Sequence, residues 1–228
     1  MTEEQNDSSL TSAMTDLMTS LAVIFILLLV VYLNHSYQET QKSSMKVKDK
    51  LIEKFIALGI KAENDPRDPL ALIIRLHDDK LQFDHNKAVL KPKGQQYLKG
   101  FIPKLTSTIC AKDTNKDIES LLIQGFTDSD GNDEHNLELS QDRAFQVSKF
   151  TIDKAGLNWQ TRECFLNLTS TNGRGKRELL PTGSKPGKEN KSASRRVEFK
   201  IRVKSFEQKK KIENTLEKSA KISTTKFN

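Results

Sequence analysis

One apolar run constrains this chain before anything else: Leu17-Met-Thr-Ser-Leu-Ala-Val-Ile-Phe-Ile-Leu-Leu-Leu-Val-Val-Tyr-Leu33, with Asp16 at its head. A membrane-spanning helix needs about 20 mostly apolar residues. The run reaches that length once it takes in the preceding turns from Leu10 to Thr15, so a span over 13–34 is expected. Asp16 then lies at or just inside the bilayer. An ionised carboxylate is costly at that depth, and one found there usually faces a bundle interior or a water-filled path and handles ions or protons. The plainer alternative is an Asp that caps the helix from the headgroup region by binding orphan backbone N–H groups.

On a helix, Ser12, Thr19 and Ser20 stand at i−4, i+3 and i+4 from Asp16 and share its face. The next positions on that face, Val23 and Leu27, are apolar, so the polar stripe is confined to about two turns. A helix that met only lipid would have no use for such a stripe. Ser and Thr are also common where transmembrane helices pack closely, so the stripe implies a partner helix under either reading.

The rest of the 228 residues leave room for one further domain of ordinary size. Net charge is +7, and Arg174, Lys176, Arg177, Lys185, Lys188, Lys191, Arg195, Arg196 and Lys209-Lys-Lys211 crowd into the C-terminal third. No zinc-finger or RNP-type signature accompanies them, so a solvated basic surface is expected and direct nucleic-acid binding is not. Cys110 and Cys164 lack metal-ligand spacing. One disulfide between them is conceivable in an oxidising compartment, but two small hydrophobes are the expectation. The four His residues form no i, i+4 ligand pair, and no Ser/His/Asp or Cys/His arrangement is visible. Neither a metal site, a cofactor nor an enzyme is expected. The start, with Glu3, Glu4 and Asp7, is acidic and no small-x-small cleavage site follows the run, which argues against a secretory signal peptide.

Residues 35–69 read as a stalk. Leu51, Ile52, Phe55, Ile56 and Ala57 make a narrow apolar stripe, the mark of an amphipathic helix that packs on a second copy, the membrane surface or the folded domain. Asp65-Pro66-Arg-Asp-Pro69 is expected to break that helix and open a domain over 70–204. Strands are expected at Leu70–Leu76, Ile118–Gln124, Cys164–Thr169 and Val197–Val203, the last alternating apolar and charged as in a sheet with one wet face. A turn at Asp78-Asp79 leads to Leu81-Gln-Phe83. Helices are expected from Pro92 to about Thr108 and from Glu134 to Ala155. Alternating strands and helices imply an α/β (α+β) two-layer sandwich. Residues 205–228 read as a polar tail.

A binding constellation lies inside that domain. Asp128 stands at a strand end, where it can meet an ammonium group. Asn136, Ser140 and Arg143 are spaced i, i+4, i+7 and share a helix face, with Arg143 able to grip a carboxylate bidentately. Leu139 would support the floor. The plainer reading is an Asp128–Arg143 salt bridge that joins strand to helix.

The stretch Ile123-Gln-Gly-Phe-Thr-Asp128-Ser-Asp-Gly131, then Asn136-Leu-Glu-Leu139-Ser140-Gln-Asp-Arg143-Ala144, resembles the signature of OmpA-like peptidoglycan-binding domains. The later Ser194-Arg195-Arg196-Val197 is similar to the Asn-Arg-Arg-Val strand of that family, with Ser where Asn is usual. The resemblance implies that Asp128, Asn136, Leu139, Ser140, Arg143 and Arg196 hold the diaminopimelate arm of the peptidoglycan stem peptide. The basic loop at 181–190 departs from the pattern near the rim of the site.

Thr15-Asp16-Leu17-Met18-Thr19 in turn resembles the Ala-Asp-Phe/Leu-Met-Thr/Ser opening of the transmembrane helix in MotB-type stator subunits. That resemblance implies an inner-membrane homodimer in which Asp16, helped by Thr19 and Ser20, passes H⁺ or Na⁺. A MotA-like multi-span partner would surround it, five copies to two. It also implies residues 1–12 in the cytoplasm and the C-terminal domain in the periplasm. Lys42, Lys46, Lys48 and Lys50, taken by the positive-inside rule alone, would place that domain in the cytoplasm instead. The acidic start and compact build look more like the MotB-like component of Zorya-type anti-phage defence, with a ZorA-type partner, than like a flagellar or gliding stator. A passive membrane-to-wall tether is the alternative from another class.

Overall fold

The computed structural model describes residues 3–84, 86–183, 187–205, 207–212 and 214–215. The chain divides into two compact units, Met1–Ser43 and Ser44–Asn228. The first is helical, part of α1 (Glu3–Ala57). Within it Met14–His35 has the length and composition to cross a membrane. Its 22 residues span about 33 Å at 1.5 Å per residue, against a hydrocarbon core of about 30 Å.

In the second unit, α1 runs on to Ala57 and ends well before the Asp65-Pro66 break. Gly59, at φ +73°, supplies the left-handed residue, and the Ile60 N–H donates back to the Phe55 carbonyl at 2.8 Å. That six-to-one closure is a helix stop built without proline. Then follow β1 (Glu63–Asn64), β2 (Ala71–His77), α2 (Asp78–Leu81), α3 (Pro92–Ile109), α4 (Lys112–Asn115), β3 (Ile118–Phe126), α5 (Asp133–Lys154), α6 (Trp159–Leu168), β4 (Thr169–Gly173), α7 (Lys191–Ser194) and β5 (Arg196–Val203). The strands form one sheet in the order β1-β2-β5-β3-β4, antiparallel except for β3 with β4.

The register of the sheet brings Ile74, Phe199 and Ile123 side by side, with Leu72, Ile201 and Leu121 as the next row. These side chains share one core with Leu98, Phe101, Ile102 and Leu105 of α3, Ala144, Val147 and Phe150 of α5, and Phe165 of α6. Helices on one face of a mixed sheet make the expected two-layer sandwich. Phe101 meets Phe199 edge-on at 5.2 Å, the arrangement that aromatic quadrupoles favour.

The opposite face is not simply wet. Glu198 is 1% exposed, held between Arg75 Nε at 3.0 Å and Arg196 Nε at 2.7 Å. Lys200 bridges Asp65 and Asp68, and Arg202 joins Asp68 to Glu119. The alternation read from β5 is real, but ion pairs replace water along it.

Three expectations are corrected here. Cys164–Leu168 is helix, because the Asn158 side chain caps α6 by accepting from Thr161 N at 2.9 Å; the strand begins only at the β-branched Thr169. Asp78-Asp79, expected as a turn, opens the short helix α2 that Leu81 closes, and Phe83 then makes an isolated bridge to Leu90. Cys110 and Cys164 are joined in a disulfide, since α6 returns across the end of α3. Residues 207–212 and 214–215 are helical; the remainder of the expected tail, from 216, lies outside the described residues, as do Met1 and Thr2 of the expected cytoplasmic start.

The stalk stripe finds its partner in the chain's own domain. Leu51 and Phe55 are fully buried members of the core, and Lys54 Nζ donates to Asp113 Oδ2 at 2.8 Å and Thr114 Oγ1 at 2.9 Å. These contacts draw Asp113 down to about 2, the Lys54 hydrogen bond contributing most. Removing a buried Phe costs about 3–5 kcal/mol. Phe55→Ala is therefore expected to lower the domain's unfolding free energy by that amount in denaturant titrations of the full chain in detergent. A change below about 1 kcal/mol, the size of an ordinary surface substitution, would mean that the end of α1 does not pack there.

Candidate functional site

The site grows from the junction of β3 and α5. Gly125 lets the two backbones touch: a Cβ there would lie 2.0 Å from the Ser140 carbonyl oxygen, so no other residue fits. After Phe126 the chain turns through Thr127–Gly131. Asp128 Oδ1 accepts from the Asp130 N–H at 3.2 Å, and Gly131 takes φ +86°. Asn132 then caps α5 by accepting from His135 N at 2.8 Å. Asn136 Nδ2 reaches back to the Asp130 carbonyl at 2.7 Å and fixes the turn from the helix side.

These pieces enclose a cavity of about 240 Å³ lined by Asn86, Thr127, Asp128, Asp130, Gly131, His135, Asn136, Leu139, Arg143 and Arg195. That volume suits one amino-acid-sized group rather than a sugar chain. Arg143 is 5% exposed. Its Nε donates to the Lys87 carbonyl at 3.2 Å, and its guanidinium lies 5.1 Å from the Phe83 ring centroid. No carboxylate pairs with it among the described residues. Burial lowers its pKa, the Asp78 and Asp128 charges oppose the shift, and Arg195 adds to it. A buried guanidinium with free donors and no counter-ion is a receptor for an anion.

Asp128 already has a cation from its own chain. Its Oδ2 pairs with Arg195 Nη1 at 2.7 Å, and Arg195 Nε pairs with Asp78 Oδ2 at 3.2 Å. The expected Asp128–Arg143 bridge is not formed. Burial works against the Arg195 charge, but the two carboxylates outweigh it and raise its pKa. Thr127, 2% exposed, contributes a hydroxyl Oγ1 that has no partner among the described residues.

Of the residues singled out by sequence, Asp128, Asn136, Leu139 and Arg143 meet at this cavity. Ser140 and Arg196 do not line it. The Ser140 hydroxyl accepts from Gly175 N and donates to the Leu137 carbonyl, both at 2.8 Å, and so ties α5 to the segment after β4. Arg196 is turned away by strand alternation; it stacks 3.8 Å from the Phe126 ring centroid and pairs with Glu198. Its neighbour Arg195 takes the place at the cavity. Asp78, Asn86 and Lys87 were missed because they arrive from the β2–α3 connection, which carries no motif of its own.

The basic loop also has a definite role at the rim. Glu189 accepts from the Ser129 N–H at 3.2 Å and from the Ser129 hydroxyl, and Lys191 Nζ pairs with Asp130 Oδ1 at 2.6 Å. Lys176 Nζ reaches Asp133 at 3.0 Å. Glu189 of the loop and Lys191 just after it brace the turn that carries Asp128; Lys185 lies outside the described residues.

On α1 the second group of candidates is arranged along one face. The helix begins at Glu3, so Asp16 lies well inside it, where backbone N–H groups already bond to carbonyls one turn earlier. That rules out the capping reading. The Thr19 hydroxyl lies 2.9 Å from both the Thr15 and the Asp16 carbonyl oxygen and shares its single proton between them. Ser20 shares the face by its spacing. The side chain of Ser12 lies outside the described residues.

Residues 82–195 match the OmpA family. The chain is similar to the Zorya protein ZorB of Escherichia coli O139:H28 (strain E24377A / ETEC), 27% identical over 201 residues, which covers 82% of this chain and 77% of that protein. It is similar to outer membrane protein A of Bordetella avium, 30% identical over 63% of this chain and 66% of that one. Among solved structures, a MotB-like protein from Desulfovibrio vulgaris is 19% identical with a TM-score of 0.49, covering 73% of this chain and 98% of that one. The family match takes in half of the chain and every residue that lines the cavity: the chain belongs to the OmpA family.

Proposed function

We propose that this chain is a stator-type subunit of the bacterial inner membrane. Residues 13–34 cross the bilayer, and the domain holds the cell wall by gripping the diaminopimelate arm of peptidoglycan. The observation that carries the anchoring role is Arg143, buried, free of any carboxylate partner among the described residues, and set in the same small cavity as Asp128. A ligand with one carboxylate and one ammonium satisfies both: the carboxylate on the Arg143 fork, the ammonium against Asp128, with Leu139 beneath and the unpartnered Thr127 hydroxyl beside them. Likeness to ZorB and membership of the OmpA family support the same assignment.

Asp16, with Thr19 and Ser20, carries H⁺ or Na⁺ through a path completed by a MotA-like partner of the ZorA type, five copies around two of this chain. The ion flow powers a ZorB-like role in anti-phage defence. Support for this half comes from the likeness to ZorB and from a carboxylate inside an apolar helix, where only a functional path repays its desolvation.

The Cys110–Cys164 disulfide favours a periplasmic domain over the cytoplasmic one suggested by the lysines after the span, because disulfides persist in oxidising compartments. A reporter fused after Asn228 that matures only outside the cytoplasm is expected to be active. Activity confined to a cytoplasm-only reporter would sink this topology.

A further inference from the structure

Two cavities lie along one face of α5. The ligand cavity takes Asn136, Leu139 and Arg143 from that helix. A second cavity takes Gln146, Lys149, Phe150 and Lys154, and is closed on its other side by Val89, Leu90 and Gln95. Asn136, Leu139, Arg143, Gln146 and Phe150 succeed one another at intervals of three or four residues, the period of one helix face.

The strap leading to Leu90 separates the two spaces and serves both. Its Lys87 carbonyl holds Arg143, while Val89, 57% exposed, forms a wall of the second space. The two spaces lie side by side along α5, and Lys154 stands about 16 Å from Arg143 along the helix axis at 1.5 Å per residue.

The second half has its own chemistry. Lys149 and Lys154 are exposed and form no ion pair among the described residues, with only Asp153 to offset them. Gln95 donates its amide N–H to the Leu90 carbonyl at 2.9 Å, which leaves its Oε1 free to accept. Phe150 is a buried floor.

We propose that this second cavity is a subsite for the acidic peptide that adjoins the diamino acid, a proposal that rests on the reading of the first cavity as a diaminopimelate site. A side-chain methyl sits on Val89 and Phe150, a peptide N–H donates to Gln95, and the neighbouring carboxylate meets Lys149 and Lys154. Two further peptide units reach about 7 Å, and Lys149 stands about 9 Å along the helix from Arg143. The remaining gap is within the length of a lysine side chain.

The test is calorimetric titration of the full chain in detergent with two probes: free diaminopimelate, and the tripeptide L-Ala-γ-D-Glu-diaminopimelate. The wild-type chain is expected to bind the tripeptide at least about fivefold more tightly, the scale of one solvated ion pair. Lys149→Glu with Lys154→Glu removes that advantage and leaves free diaminopimelate unchanged, whereas Arg143→Ala loses both probes. Equal wild-type affinity for the two probes, or a double variant that keeps the advantage or weakens both probes alike, overturns the subsite and leaves the first cavity standing. Failure of the wild-type chain to bind either probe overturns the reading of the first cavity and the subsite with it.

Discussion

Arg143→Ala is expected to abolish cosedimentation of the chain with purified peptidoglycan while leaving its thermal unfolding nearly unchanged. The size of the loss follows from what the side chain lacks. Hydrogen bonds to a charged group are worth about 1.5–3 kcal/mol, and a fork that grips a carboxylate through two of them concentrates that gain in the bound state. Losing it weakens association by about a hundredfold. Stability changes little because the guanidinium makes one hydrogen bond, to the Lys87 carbonyl, and no ion pair among the described residues. Arg143→Lys keeps the charge but not the fork and falls between the two. Arg195→Ala is the informative contrast: it leaves Asp78 and Asp128 without their shared cation, so it lowers both binding and the unfolding temperature. Full peptidoglycan binding by a correctly folded Arg143→Ala chain would refute the cavity as the anchoring site.

What the sequence revealed of this site, and what it hid, has a physical pattern. β2, β3, β5, α3 and α5 were legible because each carries a clean period or a start signal, such as Pro92 at the opening of α3. Asp128, Asn136, Leu139 and Arg143 were legible because they lie on one strand end and the helix that follows it. The Cys164–Leu168 segment was not, since a short apolar run reads equally as strand or helix, and the deciding residue, Asn158, acts from outside the run. Arg195 and Arg196 are adjacent and chemically identical, so their division of labour depends on where β5 begins. The disulfide depends on α6 lying against α3, a contact between segments 54 residues apart, and Asp78 reaches the cavity only through the Arg195 fork. The stalk stripe was visible; its partner was not, because nothing in Leu51 or Phe55 distinguishes a neighbouring copy from the chain's own core.

Asp16→Asn is expected to stop the proposed ion flux and every activity that depends on it, with membrane insertion and peptidoglycan binding unaffected. Asn has nearly the same shape and can still hydrogen-bond to partner helices, so packing of the Asp16, Thr19, Ser20 face is preserved. It cannot take up and release a proton, nor offer a full negative charge to Na⁺. In the proposed path, the driving force is about 2.3 kcal/mol for each charge that crosses 100 mV, and capturing it needs a carboxylate that alternates between neutral and ionised forms. Thr19→Ala has a graded effect: its hydroxyl already satisfies backbone carbonyls, so only an acceptor for the ion is removed and flux falls without vanishing. The measurement is ion uptake in cells that co-express the chain with the MotA-like partner proposed for it, read beside peptidoglycan cosedimentation of the same variants. A passive tether would be indifferent to Asp16→Asn in both assays. Undiminished flux in that variant would remove Asp16 from the path, because no other described residue within Met14–Leu33 carries an ionisable carboxylate.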